Sequence, residues 1–145
     1  MKRNWPRAVA GGVLGTLVMT AIGLWIAPVM GLPRMNPADM LAGAMGGNVL
    51  LGWAGHLMIG IILALVYAVV ATRLPGAPPL RGALYGLAPW ILAMVAVMPM
   101  MGMPAFGGSA APAMGSLVGH LVYGAIVGVV YGQPESETVL RPARV

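Results

Sequence analysis

The two histidines of this chain, His56 and His120, are the residues best able to do chemistry. They sit in matching segments, Gly55-His56-Leu57-Met58-Ile59-Gly60 and Gly119-His120-Leu121-Val122-Tyr123-Gly124. Both segments lie inside long apolar stretches, where an ionisable side chain is expensive and by default marks a functional site. A neutral imidazole there can ligate a metal, pass a proton or hydrogen-bond a neighbouring helix. On a helix, Gly52, Gly60, Leu63 and Tyr67 share the face of His56, and Ser116, Gly124, Val127 and Tyr131 share the face of His120. Each ring therefore has a small residue one turn above and one turn below, so a flat ligand or another helix can approach the backbone.

Three kinds of occupant fit that pattern. The leading expectation is a b-type haem bridging the two histidine helices. His56 and His120 would be axial ligands, Gly60, Gly124 and Gly52 would give clearance, and Ser116 would be a candidate to orient the second ring. The axial ligands would tune the iron and the protein would orient the macrocycle, as in a small electron-carrying subunit. A chlorophyll-type pigment needs only one histidine per macrocycle. Alternatively, the glycine faces pack helices against a larger membrane complex or a second copy, no cofactor is bound, and the histidines are structural.

The methionines add another possibility. Met98, Met100, Met101 and Met103 form the densest run of the chain's 13, and thioether with imidazole is a ligand set for Cu(I). Methionine also serves as a flexible apolar filler, so the run is compatible with packing alone.

Other chemistry is absent from the sequence. With no cysteine there are no disulfides, zinc-thiolate or iron–sulfur sites. Asp39 is the one acid outside the polar tail, which holds Glu135 and Glu137. No nucleophile–base pair, phosphate loop or carboxylate pair appears, so the expectation is a non-enzymatic protein. The net charge of +5 does not suggest nucleic acid, because the cations sit beside the ends of apolar stretches.

The positioning elements follow from composition. The 145 residues are 59% hydrophobic and 8% charged, against about 25% charged in soluble domains, so the partner of the surface is a lipid bilayer. Four apolar stretches, about Ala8 to Met30, Asn48 to Thr72, Gly82 to Met103 and Pro112 to Gly132, approach the roughly 20 residues that cross the hydrocarbon core. Backbone groups in lipid must pair internally, so each is read as a helix. The first follows Lys2, Arg3 and Arg7 but exceeds the length of a signal-peptide core, and is read as a retained span. Trp5, Trp25 and Trp53 read as interfacial anchors, with Tyr67 and Tyr131 at the inner interface. Trp90, after Pro89, predicts a kink in the third span.

The chain also repeats itself. Pro28-Val29-Met30-Gly31-Leu32-Pro33 returns 71 residues on as Pro99-Met100-Met101-Gly102-Met103-Pro104, and the histidine segments match at an offset of 64. The expected fold is all-α: one membrane domain over 1–145, made of two tandem helical hairpins at 8–72 and 82–132, with a polar tail at 133–145. Parallel repeats imply an axis along the membrane normal and one depth for both histidines. In the longer first loop, Asn36-Pro37-Ala38-Asp39 carries an N-cap, a proline at N1 and an acid at N3, predicting a short interfacial helix.

The Gly-His-Leu-x-Tyr-Gly pattern of 119–124, after a Met- and Pro-rich loop, resembles small multi-pass bacterial membrane proteins of unknown function. The resemblance implies four membrane helices in a bacterial inner membrane and carries no activity. The first hairpin departs from it, with Ile59 in place of the tyrosine.

Lys2, Arg3, Arg7, Arg73, Arg81, Arg141 and Arg144 fall on one side of the expected topology, which the positive-inside rule makes cytoplasmic. Reporter fusions at residues 40 and 108 should therefore read outside and a fusion at residue 76 inside. A residue-76 fusion reading outside would refute the arrangement.

Overall fold

A computed structural model describes residues 3–132; Lys2 and the tail bearing Glu135, Glu137, Arg141 and Arg144 lie outside them. The described chain is helical. Helices α1 (Trp5–Val29), α3 (Val49–Arg73), α4 (Pro78–Met100) and α5 (Ala110–Tyr131) are long and apolar enough to cross a membrane. The short α2 (Pro37–Ala44) lies between α1 and α3. The chain is thus a four-span membrane protein.

Side chains mark the helix starts. Asn4, Asn36 and Asn48 each turn a side-chain oxygen onto a backbone N–H of the first turn, those of Arg7, Ala38 and Leu51. These contacts satisfy donors that have no partner within the helix. Pro37 and Pro78 stand in first turns, where a missing N–H is harmless. The helix expected after Asn36 is therefore present.

Two spans share an irregularity. The hydrogen-bond ladder widens into a π turn at Ile22–Ile26 in α1 and at Ala93–Val97 in α4. Pro28 and Pro99 follow two residues later. A proline inside a helix lacks an N–H and its ring crowds the carbonyl four residues back; a π turn relieves that clash without ending the helix. The kink expected at Trp90 is thus displaced. Pro89 lies within regular helix, and the distortion comes ahead of Pro99. Trp90 instead donates its indole N–H to Ala113 O at 3.2 Å, tying α4 to α5.

Glycine sets the packing. A Cβ added to Gly12 on α1 would lie 2.8 Å from Gly60 O on α3, and one added to Gly60 would strike the Thr16 hydroxyl. On α4, Gly82 abuts Gly124 O and Gly86 abuts His120 O of α5, while Gly128 meets Pro78 O. Lipid supplies no hydrophobic drive between helices, so close backbone approach of this kind is what holds them. Gly52 is taken up in the same way, against Ala38 of α2. These glycines are therefore in contact within the bundle.

By contrast, α3 scarcely touches α5 through its backbone. Tyrosines bridge the gap: Tyr123 and Tyr131 of α5 donate hydroxyls to Gly60 O (2.6 Å) and Ala68 O (3.4 Å), and Tyr85 of α4 donates to Leu63 O (2.7 Å). Tyr67 is fully buried between the rings of Tyr85 and Tyr131, edge-on to both. Tyr67 and Tyr131 are therefore core residues and not interfacial anchors. Only a ring with a polar tip spans this gap and still finds an acceptor.

Gly82→Leu should destabilise the bundle by about 1–3 kcal/mol, the range for overpacking a close contact. Gly43→Ala, on α2 with open space at its Cα, should be neutral or stabilising by up to about 1 kcal/mol. Thermal unfolding in detergent, followed by circular dichroism, checks both. Equal midpoints for Gly82→Leu and the parent would overturn the packing account.

Candidate functional site

A cavity of about 210 Å3 reaches all four spans and α2. Both histidines line it, together with Tyr123 and six methionines: Met19, Met35, Met40, Met94, Met98 and Met101. The remaining walls are nearly all aliphatic. Below, toward the chain termini, the tyrosine layer closes the bundle.

His56 is held by α1. Its Nε2 lies 3.0 Å from Thr20 Oγ1, and Thr20 donates its hydroxyl hydrogen to Thr16 O at 2.8 Å. A hydroxyl has one hydrogen. With that hydrogen assigned to the carbonyl, Nε2–H is the donor in the histidine contact and the lone pair falls on Nδ1. Thr16 in turn donates to Gly12 O at 2.7 Å, so both threonines are satisfied inside their own helix. Trp53 flanks the ring at 6.5 Å between centroids.

His120 is held by its own helix. Its Nδ1 lies 2.8 Å from Ser116 O. A carbonyl only accepts, so Nδ1 carries the hydrogen and Nε2 carries the lone pair. Ser116 Oγ is more distant, at 3.4 Å. The two rings are thus anchored by different means, each through one nitrogen with the other left as a ligand. Fixing one imidazole N–H on a carbonyl or hydroxyl is how proteins orient a histidine toward a metal.

Several expected roles change. Ser116 does orient His120, through its carbonyl. Gly60 and Gly124 provide no clearance for a macrocycle, because Thr16 and Gly82 occupy that space, and Gly52 is covered by α2. At about 210 Å3 the cavity also falls below the roughly 300–1,000 Å3 of ordinary small-ligand sites, and a tetrapyrrole needs more room than most such ligands. The residues present do not accommodate haem or a chlorophyll-type pigment between α3 and α5 unless the helices part. Of the methionine run, buried Met98 and half-buried Met101 reach the cavity, Met100 is 86% exposed on the outside, and Met103 lies on a separate recess.

Thr16, Thr20, Met19 and Met94 were not expected at the site. The threonines carried a signal: they stand four apart, on the same face as Gly12. The two methionines carried none beyond their element, since isolated methionines in apolar helices are common filler.

The arrangement favours a soft ion. Two histidines and six methionines line one cavity, whereas the described residues contain no group of three or more His, Cys, Asp or Glu that could hold a metal. Hard divalent ions need carboxylates and water, and no carboxylate lines this cavity.

No curated protein and no solved structure matches the chain. A family profile matches residues 2–140, and the chain belongs to that family, described as a family of unknown function, DUF6789.

Proposed function

We propose that this protein handles Cu(I) within the membrane, as cargo held between the four spans by His56, His120 and neighbouring thioethers, without catalysis of its own. One observation carries the reading: two histidines, each ring held through one nitrogen, line the same cavity as six methionines. Imidazole and thioether suit Cu(I). Both are neutral, so the site needs no buried anion and binding displaces no proton. The surrounding wall is nearly all apolar and offers a competing hard ion no carboxylate.

The haem reading rests on the same pair of imidazoles but has less support, because the glycines it needs are packed against helices. The account also includes two tandem hairpins related by an axis along the membrane normal. The π turns at Ile22–Ile26 and Ala93–Val97, 71 residues apart like the Pro28 and Pro99 segments, support that relation. With it come α2 lying at the membrane interface, both termini on the cytoplasmic side, and residence in a bacterial inner membrane.

Purified protein should bind one Cu(I) per chain in competition with a chromophoric Cu(I) chelator. His56→Ala and His120→Ala should each weaken binding at least tenfold. Thr20→Val should weaken it by about 10–100-fold, the usual effect of losing an orienting partner. Wild type that binds no Cu(I), or histidine variants that bind as well as wild type, would overturn the reading. A Soret band in protein expressed with haem available would restore the haem alternative.

A further inference from the structure

A second recess, of about 640 Å3, lies at the end of the bundle that bears the two interhelical loops. Met35, Met40 and Met98 line both this recess and the histidine cavity, while Arg34, Asp39 and Met103 line the recess alone. Three thioethers thus form a common wall between the vestibule and the histidine cavity. From this, and resting on the Cu(I) reading, we propose that the vestibule is the loading route. Cu(I) is captured by Met103 beside Asp39, passes across Met35, Met40 and Met98, and reaches the imidazoles.

A cation entering an apolar cavity loses its water, and the penalty is large unless other ligands replace it as it goes. The methionine wall supplies replacement ligands of the right softness at the boundary itself. Each step exchanges one thioether or water for another thioether and finally for imidazole nitrogen. Copper stays monovalent throughout, and no proton or electron moves.

Charge and closure point the same way. Asp39 is the one acid among the described residues, and it is exposed at this mouth. Arg34 stands on the same walls, so the vestibule has little net charge and its selectivity falls to the thioethers. Asp39 then serves as a local counter-charge to a complex whose other ligands are neutral. At the opposite end the tyrosine layer lies across the bundle. Tyr123 hydrogen-bonds Gly60 O and Tyr85 hydrogen-bonds Leu63 O directly beneath the cavity, and Tyr67 is fully buried below them. The methionine wall is the side of the cavity that adjoins the polar vestibule.

The absence of native cysteine makes the route testable. Met103→Cys, labelled in detergent with a bulky maleimide, should load Cu(I) at least tenfold more slowly than the unlabelled protein. Thr72→Cys at the other end, labelled identically, should load at the unlabelled rate. Asp39→Asn and Met103→Leu should slow loading by severalfold while leaving the equilibrium Cu(I) affinity unchanged. Labelled Met103→Cys loading as fast as labelled Thr72→Cys would overturn the route while leaving the binding site intact. A large affinity loss in Asp39→Asn or Met103→Leu would also overturn it, by making the vestibule part of the final site. Wild type that takes up no Cu(I) would instead refute the reading on which the route rests.

Discussion

The cavity exists because glycine draws the helices together unequally. Where Gly12 meets Gly60, and where Gly82 and Gly86 meet Gly124 and His120, no side chain separates the backbones. Those contacts bind α1 to α3 and α4 to α5. No such seam joins α3 to α5. The space that remains is filled by tyrosine rings toward the termini and left partly open toward the loops. In a solvent as apolar as the side chains themselves, helix association relies on this close packing. A bundle of evenly spaced leucine-lined helices would have no reason to leave a hole at the histidines.

The same solvent governs the polar groups. A hydroxyl or imidazole buried in the spans is costly unless it finds a partner inside the protein. The threonines return their hydrogens to carbonyls of their own helix, the tyrosines reach across to carbonyls of α3, and each histidine gives one N–H away. That accounting determines what the histidines can do. Because Thr20 has already given its hydrogen to Thr16 O, His56 must donate to it; because Ser116 O can only accept, His120 must donate to that carbonyl. The ligand nitrogens are therefore selected by the neighbours, and they differ, Nδ1 in one ring and Nε2 in the other. Tyr67 alone among the buried hydroxyls has no partner among the described residues.

Much of this was legible in the chain. The four spans follow from hydropathy and length, and α2 from the Asn36-Pro37 start, because these signals are local. The buried faces were legible too: Gly52, His56, Gly60 and Tyr67 all point inward, as helical spacing requires. What the spacing does not contain is the identity of the neighbour. A glycine beside a histidine reads equally as room for a ligand or as contact with a helix, and Gly60 and Gly124 proved to be contacts. Tyr67 and Tyr131, near the ends of their helices, read as interfacial for the same reason. The helix distortions were half legible: Pro89 and Pro99 are both visible, but a proline within a helix does not announce which turn will widen. The contribution of Met19 and Met94 to the cavity depends on how α1 and α4 rotate against α3 and α5, and so appears only in three dimensions.

The central claim is that two imidazoles and at least one thioether hold a single Cu(I) in the cavity. X-ray absorption at the copper edge of the one-to-one complex tests it most directly. The account predicts a monovalent edge with a mixed nitrogen and sulfur shell and the multiple scattering of imidazole, which His120→Ala should diminish. A sulfur-only shell, or a nitrogen and oxygen shell unchanged in His120→Ala, would contradict it.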